Sequence, residues 1–180
     1  NLRFISDSLY YGTFVIPTSF STFEQVSGKW NMETGEVQQM EYTHPDVKKK
    51  RITFDYSLKH DIFVECNQRA DLMTILDGDF NLICNVMGPQ WEGGTDERYN
   101  YTNVVICGDY IIASYEGSRY AELKNPHLCL VFALDGTYVK TLDVGRTILG
   151  LSADEENSRL YFIFDDEMQF GYLDMKEILD

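Results

Sequence analysis

Two stretches of the chain follow one formula. LDGDF occupies Leu76–Phe80 and LDGTY occupies Leu134–Tyr138, and each is followed by a glycine, Gly88 or Gly145, about a dozen residues after its leucine. Asp-Gly suits a tight hairpin turn, whose backbone asks for positive φ. The flanking runs alternate apolar and polar residues with period two, the signature of half-buried strands. Ile52–Tyr56, Ile62–Cys66, Leu72–Leu76 and Phe80–Met87 make one set of four. Val104–Cys107, Tyr110–Tyr115, Leu128–Ala133 and Tyr138–Val144 make a second. A third set begins with Ile148–Ser152, Leu160–Phe164 and Phe170–Asp174, followed by the terminal KEILD. A less regular copy fits residues 4–42, with FISDSLYYGTFVI as an inner hairpin and KWNMETGEVQQMEY as an outer one turning at Thr34-Gly35.

The outer turns at Gly35, Gly78 and Gly136 lie 43 and 58 residues apart. The excess in the second interval falls in two connectors, GPQWEGGTDERYNYT and EGSRYAELKNP. Four-stranded units of about 40 to 50 residues are the repeat of a β-propeller. The expected fold is therefore all-β, a single propeller domain over residues 1–180. Its antiparallel meander blades are expected near 1–48, 49–90, 101–145 and 146–180. A β-sandwich of hairpins is the alternative, but it gives no reason for a repeat of this unit.

With 44% apolar residues and 23 Tyr and Phe in 180, the chain can build a sizeable core. Its formal net charge of −14 argues against nucleic acid and anionic membrane as partners. The one basic run, Lys48–Arg51, is expected to be a solvated loop. No apolar run reaches the roughly 18 residues of a membrane span. Cys66, Cys84, Cys107 and Cys129 show no C-x-x-C spacing and sit in apolar runs. They are expected to be buried thiols rather than metal ligands or a redox pair.

The turns SLKHD, DGD, GD, DGT and DEENSR are short, and in a meander blade they emerge on one face. The connectors on the other face are long, and long loops on a rigid scaffold carry function. The segment 88–102 holds Trp91, Arg98, Tyr99 and Tyr101, and the next long connector adds Arg119 and Tyr120. Aromatics with arginine suit recognition of a protein or a glycan, so these six are the candidate binding residues. The competing reading is that Trp91 plugs a gap between blades and the tyrosines cover the core edge. The acidic runs Asp154–Glu156 and Asp165–Glu167 do not have the spacing of a calcium loop and are expected to be solvated turns. No G-x-S-x-G occurs. His44, His60 and His127 lie in separate connectors, so no catalytic residue, metal ligand or cofactor is assigned. Asn100–Thr102 matches a glycosylation sequon, and Asp7-Ser8-Leu9 a three-residue O-glycosylation motif, both short enough to arise by chance.

The strand pair VVICGDYIIASYEG, the hairpin LCLVFALDGTYVKTLDVG, then ILGLSADEENSRLYFIF and FGYLDM resemble the TolB-like six-bladed propeller lipoproteins of Bacteroidetes. The resemblance runs from Thr102 to Met175 and extends more loosely over 50–90. It implies an exported protein, periplasmic or on the surface of a Gram-negative cell, with membrane contact only through a lipid anchor outside these residues. It also implies a ring of about six blades, of which this chain is the C-terminal part. The remaining blades would come from a separate chain or from self-association, the alternative being that the four units close on themselves. The function these expectations favour is a non-enzymatic binding module. A calcium-dependent hydrolase or lactonase with a channel site is the alternative.

Overall fold

The computed structural model describes residues 2–91, 98–122, 124–167 and 169–179. Its strands form four separate antiparallel meanders. The first sheet holds β1 (Leu2–Phe4), β2 (Leu9–Pro17), β3 (Phe23–Asn31) and β4 (Val37–Gln39). The second holds β5 (Ile52–Ser57), β6 (Ile62–Asn67), β7 (Leu72–Asp77) and β8 (Leu82–Met87). The third holds β9 (Arg98–Cys107), β10 (Tyr110–Arg119), β11 (Leu128–Ala133) and β12 (Tyr138–Asp143). The fourth has three strands, β13 (Ile148–Asp154), β14 (Arg159–Phe164) and β15 (Phe170–Asp174). Residues 176–179 do not extend it. Asp174 accepts the Lys176 amide at 3.1 Å and starts a short helix, α1 (Met175–Leu179), whose Met175 is buried.

The sheets stack face to face, and three apolar clusters fill the spaces between them. Tyr11, Phe54, Phe63, Leu76 and Phe80 join the first sheet to the second. Val64, Met73 and Ile75 of the second meet Val104, Ile106, Ile111 and Phe132 of the third. Val105, Ile112 and Val131 of the third meet Ile148, Leu160 and Phe162 of the fourth. Position in the stack explains the burial patterns. β5, β6 and β7 lie between neighbours on both sides and are buried almost throughout. In β14 only alternate residues, Leu160, Phe162 and Phe164, are buried, while Tyr161 and Ile163 face outward. The outward face of the first sheet likewise exposes Leu2, Phe4 and Val37.

Both LDG turns also touch the preceding sheet. The Tyr11 hydroxyl of the first sheet donates to the Gly78 carbonyl. The Asp135–Gly136 turn lies against β8, with the Cys84 thiol 3.5 Å from the Asp135 carbonyl. The glycines differ in what requires them. Gly136 has φ +86°, and a Cβ there would also meet Val86 at 2.6 Å. At Gly78 the positive φ expected of the turn is absent and falls instead on Phe80, at 66°. Gly78 is required by crowding, since a Cβ would lie 2.0 Å from the Asp61 carboxylate. Phe80 accordingly sits in the turn and not in β8.

The aspartates do the turn chemistry. Asp77 Oδ1 accepts the amides of Asp79 and Asn81, Asp135 accepts that of Thr137, and Asp154 accepts that of Asn157. The expectation for Lys48–Arg51 holds for its first half only. Lys48 and Lys49 are exposed, but Lys50 is buried in an ion pair with Glu65 at 2.9 Å. It also donates to the Tyr42 carbonyl at 3.0 Å, and Ser27 completes the site by donating to Glu65 at 2.7 Å. Arg51 stacks on the Phe23 ring. A charge can be buried there because each ion has its partner and additional hydrogen bonds.

Two outcomes follow. Lys50→Met leaves Glu65 buried without its cation and is expected to cost about 3–5 kcal/mol in guanidinium unfolding, whereas the double change with Glu65→Leu costs much less. The carboxyls of Asp77, Asp135 and Asp154 lie below their ordinary value of 3.8, chiefly through bonds from Asn81, Thr137 and Asn157. A folded value below the unfolded one means that this stabilisation is complete above about pH 4 and lost as pH falls through the folded values. The Asn81, Thr137 and Asn157 amides are therefore expected to lose protection below that pH, measured by hydrogen exchange relative to their intrinsic rates.

Candidate binding site at the edge of the second and third sheets

The two long connectors are shorter than their composition suggests, because β9 and β10 run ten residues each. Arg98 pairs with Arg119 and Tyr99 with Ser118 in this extension. Two irregularities make it possible. Thr102 is an extra residue on β9 between Asn103↔Ser114 and Tyr101↔Tyr115, and β10 carries a further extra residue before Ser118. The Ser114 hydroxyl accepts the Asn103 amide at 2.9 Å and lies 2.6 Å from the Thr102 hydroxyl, which fixes the first bulge. A bulge reverses which face the following side chains occupy. Tyr101 is thereby turned toward the second sheet, opposite Tyr115, with ring centroids 5.2 Å apart in an edge-to-face arrangement.

The two rings stand over Asp71, which precedes β7 and is 2% exposed. Its Oδ2 accepts the Tyr115 hydroxyl at 3.0 Å and the Gln90 amide at 2.9 Å, while its backbone carbonyl accepts the Gly88 amide at 2.9 Å. This clasps the loop after β8 onto the start of β7. Only glycine fits at position 88, since a Cβ would lie 2.2 Å from both carboxylate oxygens. Burial, helped by the Asp71 charge, pushes both phenols well above their ordinary value, so they remain protonated donors.

Beside this cluster the second and third sheets part, leaving a cleft of about 400 Å³. Val86, Met87 and Pro89 form one wall. Leu130, Phe132, Tyr138 and Thr141 form the other, and Tyr101, Tyr115 and Asp71 line it as well.

The six candidate residues are not brought onto one surface. Trp91 is half-buried and rests on Val47, Ala70 and Leu72, with its ring edge-on to His44 at 5.1 Å. Arg98 is half-buried and donates to the Gly117 carbonyl at 3.2 Å, and Tyr99 is half-buried beside it on β9. Arg119 is exposed at the end of β10. Tyr101, expected as a surface contact, is 1% exposed and belongs to the core beneath the cleft. Its face follows from the bulge, which the alternating pattern does not reveal. Tyr120 opens a single 3₁₀ turn (Tyr120–Glu122), and its side chain lies outside the described residues, as do residues 92–97 of the first long connector. Asp71 and Tyr115 were not singled out from the sequence, nor was Tyr138, whose place in LDGTY marked it only as turn-flanking.

The remaining chemistry is quiet. All four cysteines are free, and Cys66, Cys107 and Cys129 are buried. Burial raises Cys107 to about 11 and Cys129 to about 12, so neither is a thiolate at neutral pH. His60 lies 3.3 Å from Asp109 on the opposite edge. Of the two acidic runs, Asp166 pairs with Arg146 and Asp154 closes its own turn. Among the described residues no three His, Cys, Asp or Glu side chains are grouped to hold a metal ion.

No protein-family model and no curated protein sequence matches the chain. Solved structures do match. The WD40 domain of Toxoplasma gondii coronin superposes with a TM-score of 0.61 at 12% identity, covering 96% of this chain and 41% of that one. BamB from Moraxella catarrhalis gives 0.55 at 14% identity, covering 91% and 40%. The β-propeller domain of Cps50 (Swd1) from Myceliophteria thermophila gives 0.55 at 10% identity, covering 91% and 54%. The fold is a β-propeller. At these identities the likeness carries architecture alone, and the four sheets are propeller blades. The chain spans about two fifths to one half of the length of these propellers.

Tyr115→Phe removes a hydroxyl donor from a buried carboxylate and is expected to cost about 1–3 kcal/mol in chemical denaturation. Arg119→Ala, at an exposed strand end, is expected to stay within about 0.5 kcal/mol.

Proposed function

We propose that the chain is a four-blade arc of a larger propeller and acts as a non-enzymatic recognition module for a protein partner. The observation that carries the second part is the overhanging β9–β10 pair. Two bulged strands carry the half-buried Arg98 and Tyr99 and the exposed Arg119 along the long-loop edge of the sheet, and Gln90 of the neighbouring blade lies beside Gly117. Arginine and tyrosine offer directional hydrogen bonds and stacking at small entropic cost, which suits a recognition edge. The chain's acidity favours a partner with a basic surface around that edge.

The first part rests on the two outer faces of the stack. Apolar residues at pleat positions that are covered in the middle blades are open in the end blades, with Phe170 79% and Tyr172 61% exposed on one side and Leu2 58% and Phe4 56% on the other. Further blades of the same kind would bury them, as in a TolB-like six-bladed ring. Export to the periplasm or cell surface is the part of this proposal that rests on the family resemblance alone, and glycan recognition stands as the variant of the partner reading.

Solution mass tests the arc. The isolated 20.8 kDa chain is expected to associate through its open faces, and a stable, fully protected monomer would overturn this reading. Photocrosslinking in the native host tests the edge. A crosslinker at Arg119 is expected to capture a defined partner that one at Lys59, on the opposite edge, does not. Equal capture at both positions, or none at Arg119, refutes the edge assignment.

A further inference from the structure

We propose that the cleft between β8 and β12 is a binding site for a small organic cation, an ammonium group carried on an apolar body. The site is separate from the β9–β10 overhang, and its failure leaves that reading standing. A cleft of about 400 Å³ falls within the size range of small-ligand pockets, which are mostly apolar with a few placed polar groups. Here the charged group is Asp71. Its Oδ2 is satisfied by Tyr115 and Gln90. Its Oδ1 is buried without a well-formed hydrogen bond, and the Tyr101 hydroxyl supplies only a weak one to the carboxylate. No ion pair to Asp71 occurs among the described residues. Every other buried carboxylate of the blade interfaces has its cation: Glu65 has Lys50, and Asp55 has Arg3.

A buried carboxylate held by hydrogen bonds alone, with no cation, is costly, and a cation arriving through the cleft offsets that cost. The walls suit the rest of such a ligand. Val86, Leu130 and Phe132 offer apolar surface, and the rings of Tyr115 and Tyr138 offer the negative π-faces that attract ammonium groups. Tyr138 is 56% exposed, so its ring is accessible at the mouth. A metal ion fits less well, because one carboxylate with aromatic neighbours lacks the oxygen ligands a hard cation takes. An anion would face Asp71 directly.

The test is a titration of the full chain with phenethylammonium chloride and with 2-phenylethanol, which has the same body without the charge, at matched ionic strength. The amine is expected to bind about tenfold tighter or better, with NMR shifts at Tyr101, Tyr115, Tyr138 and Thr141. Asp71→Asn keeps an acceptor for Tyr115 and Gln90 but presents a neutral amide in place of the carboxylate charge, and it is expected to abolish the preference. Because that variant reaches the core, Tyr138→Ala is measured alongside it and is expected to weaken amine binding severalfold in a folded protein. No binding of the amine, equal affinity for amine and alcohol, an unaltered preference in a folded Asp71→Asn variant, or unchanged affinity in Tyr138→Ala would each overturn the assignment.

Discussion

One buried carboxylate ties three blades together. Asp55 on β5 is 6% exposed. Its Oδ1 pairs with Arg3 of the first blade at 2.5 Å and accepts the Tyr56 amide at 2.8 Å. Its Oδ2 accepts the Ile106 amide of the third blade at 2.8 Å. Burial pushes its pKa up, while the Arg3 charge and the two amides pull it down. The anion is tolerated only because neighbours on both sides supply donors. The contact therefore specifies the order and spacing of the inner strands, which apolar packing alone leaves loose.

From that inner line the blades diverge, and the gap between them widens toward the outer strands. Near the centre Val64, Ile75, Ile106 and Ile111 fill it completely. Farther out the fold uses wedges. The Gly78 turn reaches back to Tyr11, and the Gly136 turn reaches back to Val86 and Cys84. Between the second and third blades that wedge closes one part of the gap, and the rest stays open as the cleft over Tyr101 and Tyr115. The cleft is thus a consequence of ring geometry. What makes it more than a packing defect is that a buried aspartate without a cation lies along it.

The repeat was legible because it is local: period-two alternation and Asp-Gly turns need only neighbouring residues. Blade identity followed from spacing, and the three stacked clusters conform to it. The parts that were not legible depend on distant partners. Tyr11 meets Gly78 across 67 positions, and Tyr115 meets Asp71 across 44. Lys50 resembles its solvated neighbours in sequence and differs only because Glu65 and Tyr42 happen to surround it. The Thr102 bulge depends on the Ser114 hydroxyl bonding across the strand pair, and that one bond decides which way Tyr101 points. The candidate set from the sequence therefore contained one residue of the cleft, for a reason that composition did not supply.

Aromatic residues do two jobs in this chain, and position in the stack separates them. Tyr11, Phe54 and Phe63 sit between blades and make tilted or stacked contacts at 5.1 to 5.2 Å. Tyr161 and Tyr172, at equivalent pleated positions on the last blade, face each other at 6.2 Å with their outer surfaces open. The same alternation that builds a closed interface in the middle leaves an open face at the end. A single propeller blade cannot bury both of its faces by itself. The apolar outward rows of the first and last blades therefore follow the same alternation as the interior rows and differ in being exposed. The cleft and the end faces thus differ in kind: the cleft holds a buried charge, and the end faces hold only exposed apolar area.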